Sequence, residues 1–251
     1  MGTDSTQGTF PLIRTVGIDG MLVTFAPVLE DRANCAALAF RAAVDAAEWD
    51  GVIETATTLT SVHVRFDPLY VPHDAIRGRL EGLLAGRDWM NAPLPDGRRL
   101  WTVPVVFGTD LAPQLGEAAA EAGMTEDQAI ESLTSQTVRV LTIGFAPGMP
   151  YMGPLTPAWD IPRQKALTPK VPEGALVLAI RQVIVFTSET PTGWRHVGQT
   201  AFRGFRPEAE EPFALQPGDE MRFTAIGPAD LEAIRADNAT GMGGAKVEEI
   251  A

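Results

Sequence analysis

The strongest constraint on the fold is a change of pattern near residue 137. Beyond it, apolar runs are short and Pro/Gly turns separate them. Strands are expected at Thr137–Ile143, 175–180, 183–187, 200–205 and Glu220–Ala225. Val171-Pro172-Glu173-Gly174 and Gln216-Pro217-Gly218-Asp219 each precede such a run, as a turn does. Many short strands bury their apolar faces by closing into a small barrel or sandwich. Pro228 opens a last helix to about residue 236, and 238–251, with Gly241, Gly243 and Gly244, read as a loose tail.

The first hundred residues have another rhythm. A strand at 21–25 is followed by an alanine-rich helix at 33–48 and a strand at 52–56. In the next strand, 61–66, Val62, Val64 and Phe66 alternate with Ser61, His63 and Arg65, the period of a half-buried strand. Pro72 and Asp74 open a helix with Ile76, Leu80, Leu83 and Leu84 on one face. A Pro/Gly loop at 91–99 leads to a strand at 101–107. Strand, helix, strand, strand, helix, strand is the split βαβ, ferredoxin-like order. Two short helices follow. One runs over 111–122 and stops at Gly123; the other opens at Thr125, where Gln128 completes a capping box if Thr125 is the N-cap. The fold class is thus α+β, divided as 12–108 ferredoxin-like, 109–134 helical connector, 135–237 barrel with final helix, and 238–251 flexible tail.

Bulk properties exclude several functions. The net charge is −12 without a basic patch, which argues against nucleic acid. His63, His73 and His196 are far apart and Cys35 is the sole cysteine, so no metal site and no intrachain disulfide are expected. The first ten residues carry neither a basic nor an apolar leader segment, and 33–49 is too short and too charged to span a bilayer. These features suggest a cytoplasmic protein that does not engage membranes. Neither G-x-x-x-x-G-K-[ST] nor G-x-G-x-x-G occurs.

The segment from Gly144 to Leu155, GFAPGMPYMGPL, sets Pro147, Pro150 and Pro154 among Gly144, Gly148 and Gly153 in a loop after a strand. Such a backbone brings N–H groups and the rings of Phe145 and Tyr151 close to a ligand, or simply stiffens a barrel corner. The segment resembles the G-F-x-P-G-x-x-Y-[LM]-G signature of a carboxyltransferase-like family. That family includes the B component of 5-oxoprolinase, the first subunit of allophanate hydrolase and a bacterial inhibitor of a sporulation histidine kinase. Collinear segments agree. Val103-Pro104-Val105-Val106-Phe107-Gly108 resembles its I-P-V-x-Y-G, and Ile161-Pro162-Arg163 its T-P-R. Residues 168–174, TPKVPEG, resemble P-R-x-x-V-P-x-G. Residues 190–200, TPTGWRHVGQT, resemble S-P-G-G-W-x-x-I-G-x-T, and 215–219, LQPGD, resemble L-x-x-G-D.

The resemblance implies a ferredoxin-like domain followed by a cyclophilin-like β-barrel. It implies a heteromer with a second protein, similar to the C component of 5-oxoprolinase or to allophanate hydrolase subunit 2, and ATP used within that complex. The activity implied is opening of 5-oxoproline or a related cyclic amide. The family's other branches imply a non-catalytic regulator that binds and inhibits a histidine kinase, or a carboxyltransferase-type subunit acting on urea or allophanate. Two positions depart from the pattern. Leu133 stands where the family carries a histidine, and Ile180-Arg181-Gln182 replaces a G-G-Q-T-G turn. Side chains in place of those glycines are expected to reshape or fill the pocket.

Candidate site residues follow. Phe145, Pro147, Gly148, Tyr151, Arg163 and Gln182 are candidates for substrate binding; Arg163 and His196 are candidates for catalysis. Arg163 pairs with a carboxylate or phosphate, or forms a surface salt bridge. Tyr151 donates a hydrogen bond or packs. Gln182 contacts a substrate carbonyl or is a plain turn residue. His196 follows Trp194 and is a proton shuttle if it faces the barrel mouth. The pocket is expected at that mouth. His63 and His73 read as solvent residues, and Cys35 as a buried small hydrophobe.

Overall fold

The computed structural model describes residues 9–250, and the chain divides between Pro95 and Asp96 into two compact units.

The first unit contains β1 (Leu12–Val16), β2 (Gly20–Thr24), α1 (Asp31–Ala46), β3 (Val52–Thr57), β4 (Ser61–Phe66) and α2 (His73–Ala85). Its sheet has the order β1-β2-β4-β3, antiparallel throughout. Val62, Val64 and Phe66 of β4 are fully buried, as their alternation requires. Ala33, Ala36 and Ala37 let α1 approach the sheet closely, while Phe40, Ile76 and Leu80 fill the layer between. Cys35 is only half-buried. β4 lies between β2 and β3, which makes β2–α1–β3 a split βαβ unit. The strand expected to complete this sheet, 101–107, is not in it. β1 takes the place beside β2 instead, joined to it by a tight turn at Gly17, whose φ is +62°. A three-residue turn closes that pair at little entropic cost.

The second unit opens with β5 (Arg98–Phe107), α3 (Leu115–Glu121), α4 (Glu126–Ser135), β6 (Thr137–Ile143) and β7 (Pro150–Gly153). Then come β8 (Thr168–Val171), β9 (Ala175–Ala179), β10 (Gln182–Val185), β11 (Thr190–Thr192) and β12 (Arg195–Gln199). β13 (Glu220–Ala225), α5 (Pro228–Ala236) and β14 (Lys246–Ile250) end it. Seven strands run β12-β9-β10-β7-β6-β13-β5 and close into a barrel where Gly198 and Gln199 pair with Phe107 and Val106. β8 and β11 form a separate two-stranded ribbon. One face of all seven strands converges on a single apolar cluster, including Trp101, Val140, Met152, Leu178, Val185, Val197 and Phe223. That face is the barrel interior. The alternate residues Val177 and Ile184 join Met149, Phe186 and Trp194 in a second cluster on the outer face.

Four expectations need correction. The boundary at 108 falls after β5, which pairs in parallel with β13 and belongs to the barrel. Its buried alternation at Trp101, Val103, Val105 and Phe107 suits either sheet locally; only closure of the barrel decides between them. Helices α3 and α4 are not a connector, because Leu115, Ala118, Ala129 and Leu133 pack into the barrel cluster. Thr125 and Gln128 do form the reciprocal capping box at the start of α4. No strand spans 200–205; the strand is β12, five residues earlier, whose buried Arg195, His196 and Gln199 disguise it as polar. Residues 238–250 are not a loose tail. β14 pairs along β5, and Gly243 lies against the backbone of Ala201 and Phe202, where a Cβ would meet Phe202 N at 2.2 Å.

Asp219 ties the barrel together. Its fully buried carboxylate accepts from Arg99 N at 3.0 Å, Arg99 Nη2 at 2.6 Å, Trp101 Nε1 at 3.3 Å and Gln216 N at 3.0 Å. Its carbonyl accepts from Val140 N at 2.7 Å. Removing one partner of such a buried pair leaves charge and donors unmatched, at a cost of about 3–5 kcal/mol. Asp219→Ala should therefore lower the melting temperature by roughly 6–20 °C in a calorimetric scan. A shift below about 3 °C would show that the network carries little of the fold.

Candidate functional site

A cavity of about 290 Å³ lies on the outer face of the barrel, over β7 and β10. Ile184, Phe186 and Met149 supply its apolar floor; Phe145, Tyr151, Arg163, Trp194 and Leu167 stand around it. The cavity lies outside the barrel rather than at its mouth, and the inward side chains fill the barrel as a packed core.

The loop after β6 supplies one wall. It is locked by Gly144 N to Met149 O at 3.1 Å and Met149 N to Ala146 O at 3.2 Å, while Thr187 Oγ1 donates to Pro147 O at 2.8 Å. Gly148 has φ +68°, and a Cβ there would lie 2.9 Å from Gly204 O, so only glycine fits. The loop lifts Phe145 out: it has φ +70° and is 80% exposed. A left-handed phenylalanine costs on the order of 1–2 kcal/mol, which the surrounding bonds must hold.

Tyr151 and Arg163 meet through Trp194. The Tyr151 and Trp194 rings stand edge to face at 6.1 Å, and the Arg163 guanidinium lies 5.2 Å from the Trp194 ring centroid. Among the described residues no carboxylate lines this cavity, and Arg163 is its single charged group. Burial pushes the Tyr151 hydroxyl above its usual pKa, and the Arg163 charge opposes that in part. Tyr151 is therefore a neutral O–H donor at pH 7.

The sequence candidates thus separate. Phe145, Tyr151 and Arg163 come together at the cavity, and Gly148 and Pro147 shape its wall from behind. Gln182 is buried on the same sheet face but beside Gly153, off the cavity. His196 is 5% exposed and does not line it; its register row runs Tyr151–Ile184–Val177–His196, three strands away from Tyr151. Burial lowers its pKa, and its Nε2 has no hydrogen-bond partner among the described residues. Leu133 is a barrel-core residue. Ile180 and Arg181 keep the left-handed turn, with φ of 45° and 60°, and dock through Ile180 N to Ile161 O and Arg181 N to Trp159 O. Neither residue lines the cavity, so the departed turn does not fill it. The sequence reading missed Trp194 as the platform for Arg163, although a tryptophan next to a turn glycine was a visible signal. Among the described residues no cluster of His, Cys, Asp and Glu could hold a metal ion, and no helix is long and apolar enough to cross a membrane.

The chain is similar to known proteins in sequence and fold. The model of the carboxyltransferase domain, subdomains C and D, matches residues 11–215, and the chain belongs to that family. It is 27% identical over 236 residues to the B component of 5-oxoprolinase from Bacillus subtilis (strain 168), covering 90% of this chain and 97% of that protein. The crystal structure of TTHA0988 superposes with a TM-score of 0.70 at 26% identity, over 86% of this chain and 41% of that one. The urea carboxylase of Kluyveromyces lactis shares the fold, with a TM-score of 0.74 at 20% identity, over 95% of this chain and 24% of that one. The chain thus spans well under half the length of these two solved chains.

Arg163 holds down the pKa of Tyr151, so removing the cation must raise it. In a phenolate absorbance titration, the Tyr151 transition, identified by its loss in Tyr151→Phe, should lie above the ordinary value of about 10. It should move higher still in Arg163→Ala. A downward move would contradict the electrostatic arrangement.

Proposed function

We propose that this chain is a subunit of an ATP-dependent amide hydrolase complex of the 5-oxoprolinase type. In this reading the outer cavity holds a small cyclic amide bearing a carboxylate. The observation that carries it is Arg163, the one cation lining a cavity without carboxylates among the described residues, laid on Trp194 in a chain of net charge −12. The naming of the Bacillus subtilis relative supports the substrate class. 5-Oxoproline is a five-membered lactam with one carboxylate. Arg163 takes the carboxylate through a forked pair of hydrogen bonds. The Trp194 and Phe145 rings flank the lactam, and the neutral Tyr151 hydroxyl donates to its carbonyl, where charge develops on attack.

Ring opening also needs an activated water. Among the described residues no histidine or carboxylate lines the cavity, so in this reading the base comes from a second protein, of the kind of the 5-oxoprolinase C component or allophanate hydrolase subunit 2. This cavity is not read as the ATP site, since it offers a triphosphate a single guanidinium and the sequence has no P-loop. The nucleotide belongs elsewhere in the assembly. The first unit is taken as a ferredoxin-like layer with β1 replacing the fourth strand, and the barrel as cyclophilin-like. A cytoplasmic location suits both ATP and a sole cysteine, Cys35, that forms no disulfide within the chain.

Calorimetric binding of 5-oxoproline to the full chain tests the reading. Loss of a charged hydrogen-bonding partner costs about 1.5–3 kcal/mol, so Arg163→Ala should weaken binding by roughly 10- to 100-fold. Equal affinity in the variant, or no binding by the unaltered chain, would sink it.

A further inference from the structure

Arg195 is a buried cation outside the cavity. It is 3% exposed, on β12, immediately after Trp194. A buried guanidinium is tolerated when its donors are matched. Nε donates to Glu117 Oε1 at 2.9 Å and Nη2 to Glu121 Oε1 at 2.6 Å, both on α3. Nη1 donates to Pro162 O at 2.6 Å. The first two bonds balance the charge. The third reaches the peptide unit that leads directly into Arg163.

The other side of Arg163 is tied as well. Gln164 N donates to Gly193 O at 2.7 Å, and Gln164 Nε2 to Trp194 O at 3.1 Å. Gln164 Oε1 accepts from Gln114 Nε2 at 2.9 Å, and Gln114 Oε1 accepts from His196 N at 2.8 Å. Both neighbours of Arg163 are thereby stitched to 193–196, the segment that carries the Trp194 ring. Residues 160–167 have no helix or strand of their own, so these bonds replace a ladder. Here three separate nitrogens of one planar fork reach two carboxylates and a carbonyl; a lysine ammonium has its three donors on one nitrogen and does not span acceptors set around a guanidinium.

We propose that Arg195 is a positioning residue: through the Pro162 carbonyl it holds the Arg163 guanidinium over Trp194. Its consequence for ligand affinity rests on the reading that Arg163 takes the substrate carboxylate; the positioning itself does not.

The test uses the full chain labelled at arginine. Guanidinium protons above an indole are shifted upfield by its ring current, and the Arg163 signal is identified by its loss in Arg163→Ala. Arg195→Met should abolish most of that upfield shift while the folded chain keeps a cooperative thermal transition. If Arg195→Met fails to fold, Arg195→Lys keeps the charge near Glu117 and Glu121, and should lose the shift too, because the ammonium cannot also span to Pro162 O. An unchanged Arg163 shift in either folded variant overturns the proposal. With 5-oxoproline as probe, Arg195→Met should weaken binding by about tenfold, and by less than roughly twofold in the Arg163→Ala background. Equal losses in both backgrounds would mean a merely structural role and also overturn it. If the unaltered chain binds no 5-oxoproline, the substrate reading falls while the ring-current signal still decides the positioning.

Discussion

Strand β5 is the member on which the second unit depends, because it meets three others. It runs parallel to β13, takes β14 on its first half and closes the barrel against β12 at its end. Closure removes the free edges that an open sheet of short strands would expose. It also sets strict demands. At the seam, Gly198 leaves room that a Cβ would take from Val105 Cγ1, at 2.6 Å. At the opposite end, Asp219 gathers Arg99, Trp101 and Gln216 around one carboxylate. That one residue bonds to β5, to β6 and to the turn into β13.

Because the interior is filled, the outer face is free for function. Four barrel strands present it, and Met149, Val177, Ile184, Phe186 and Trp194 cover it with apolar side chains. On this floor a cation and a neutral phenol share one indole, Trp194. The wall beyond it is irregular backbone made rigid by side chains, namely Arg195, Gln164 and Gln114. The cavity thus rests on a stiff sheet on one side and on a loop stapled by polar contacts on the other. Such preorganisation spares a ligand the cost of ordering its own site.

Local patterns were legible where one face of an element decides its structure. The alternation of Val62, Val64 and Phe66 gave a true strand, and Thr125 with Gln128 a true capping box. The proline-rich loop from Gly144 and the short I-P-R segment pointed to Phe145, Tyr151 and Arg163, which the fold brings together around one cavity. β12 was hidden because Arg195, His196 and Gln199 look solvated in sequence. Arg195 is buried there because Glu117 and Glu121, more than 70 residues earlier in the chain, balance its charge. The same holds for His196: its polarity is visible in sequence and its burial is not.

The sequence by itself determined the family, through its collinear motifs, and elements such as β4 and α4, since periodicity and caps act over a few neighbours. Tertiary structure alone decided which sheet receives β5, that β14 is a strand, and that the cavity lies outside the barrel. Those outcomes depend on pairing between residues far apart in the chain. A strand such as Arg98–Phe107 carries the same alternation whichever partners it finds, and only closure of the barrel chooses among them.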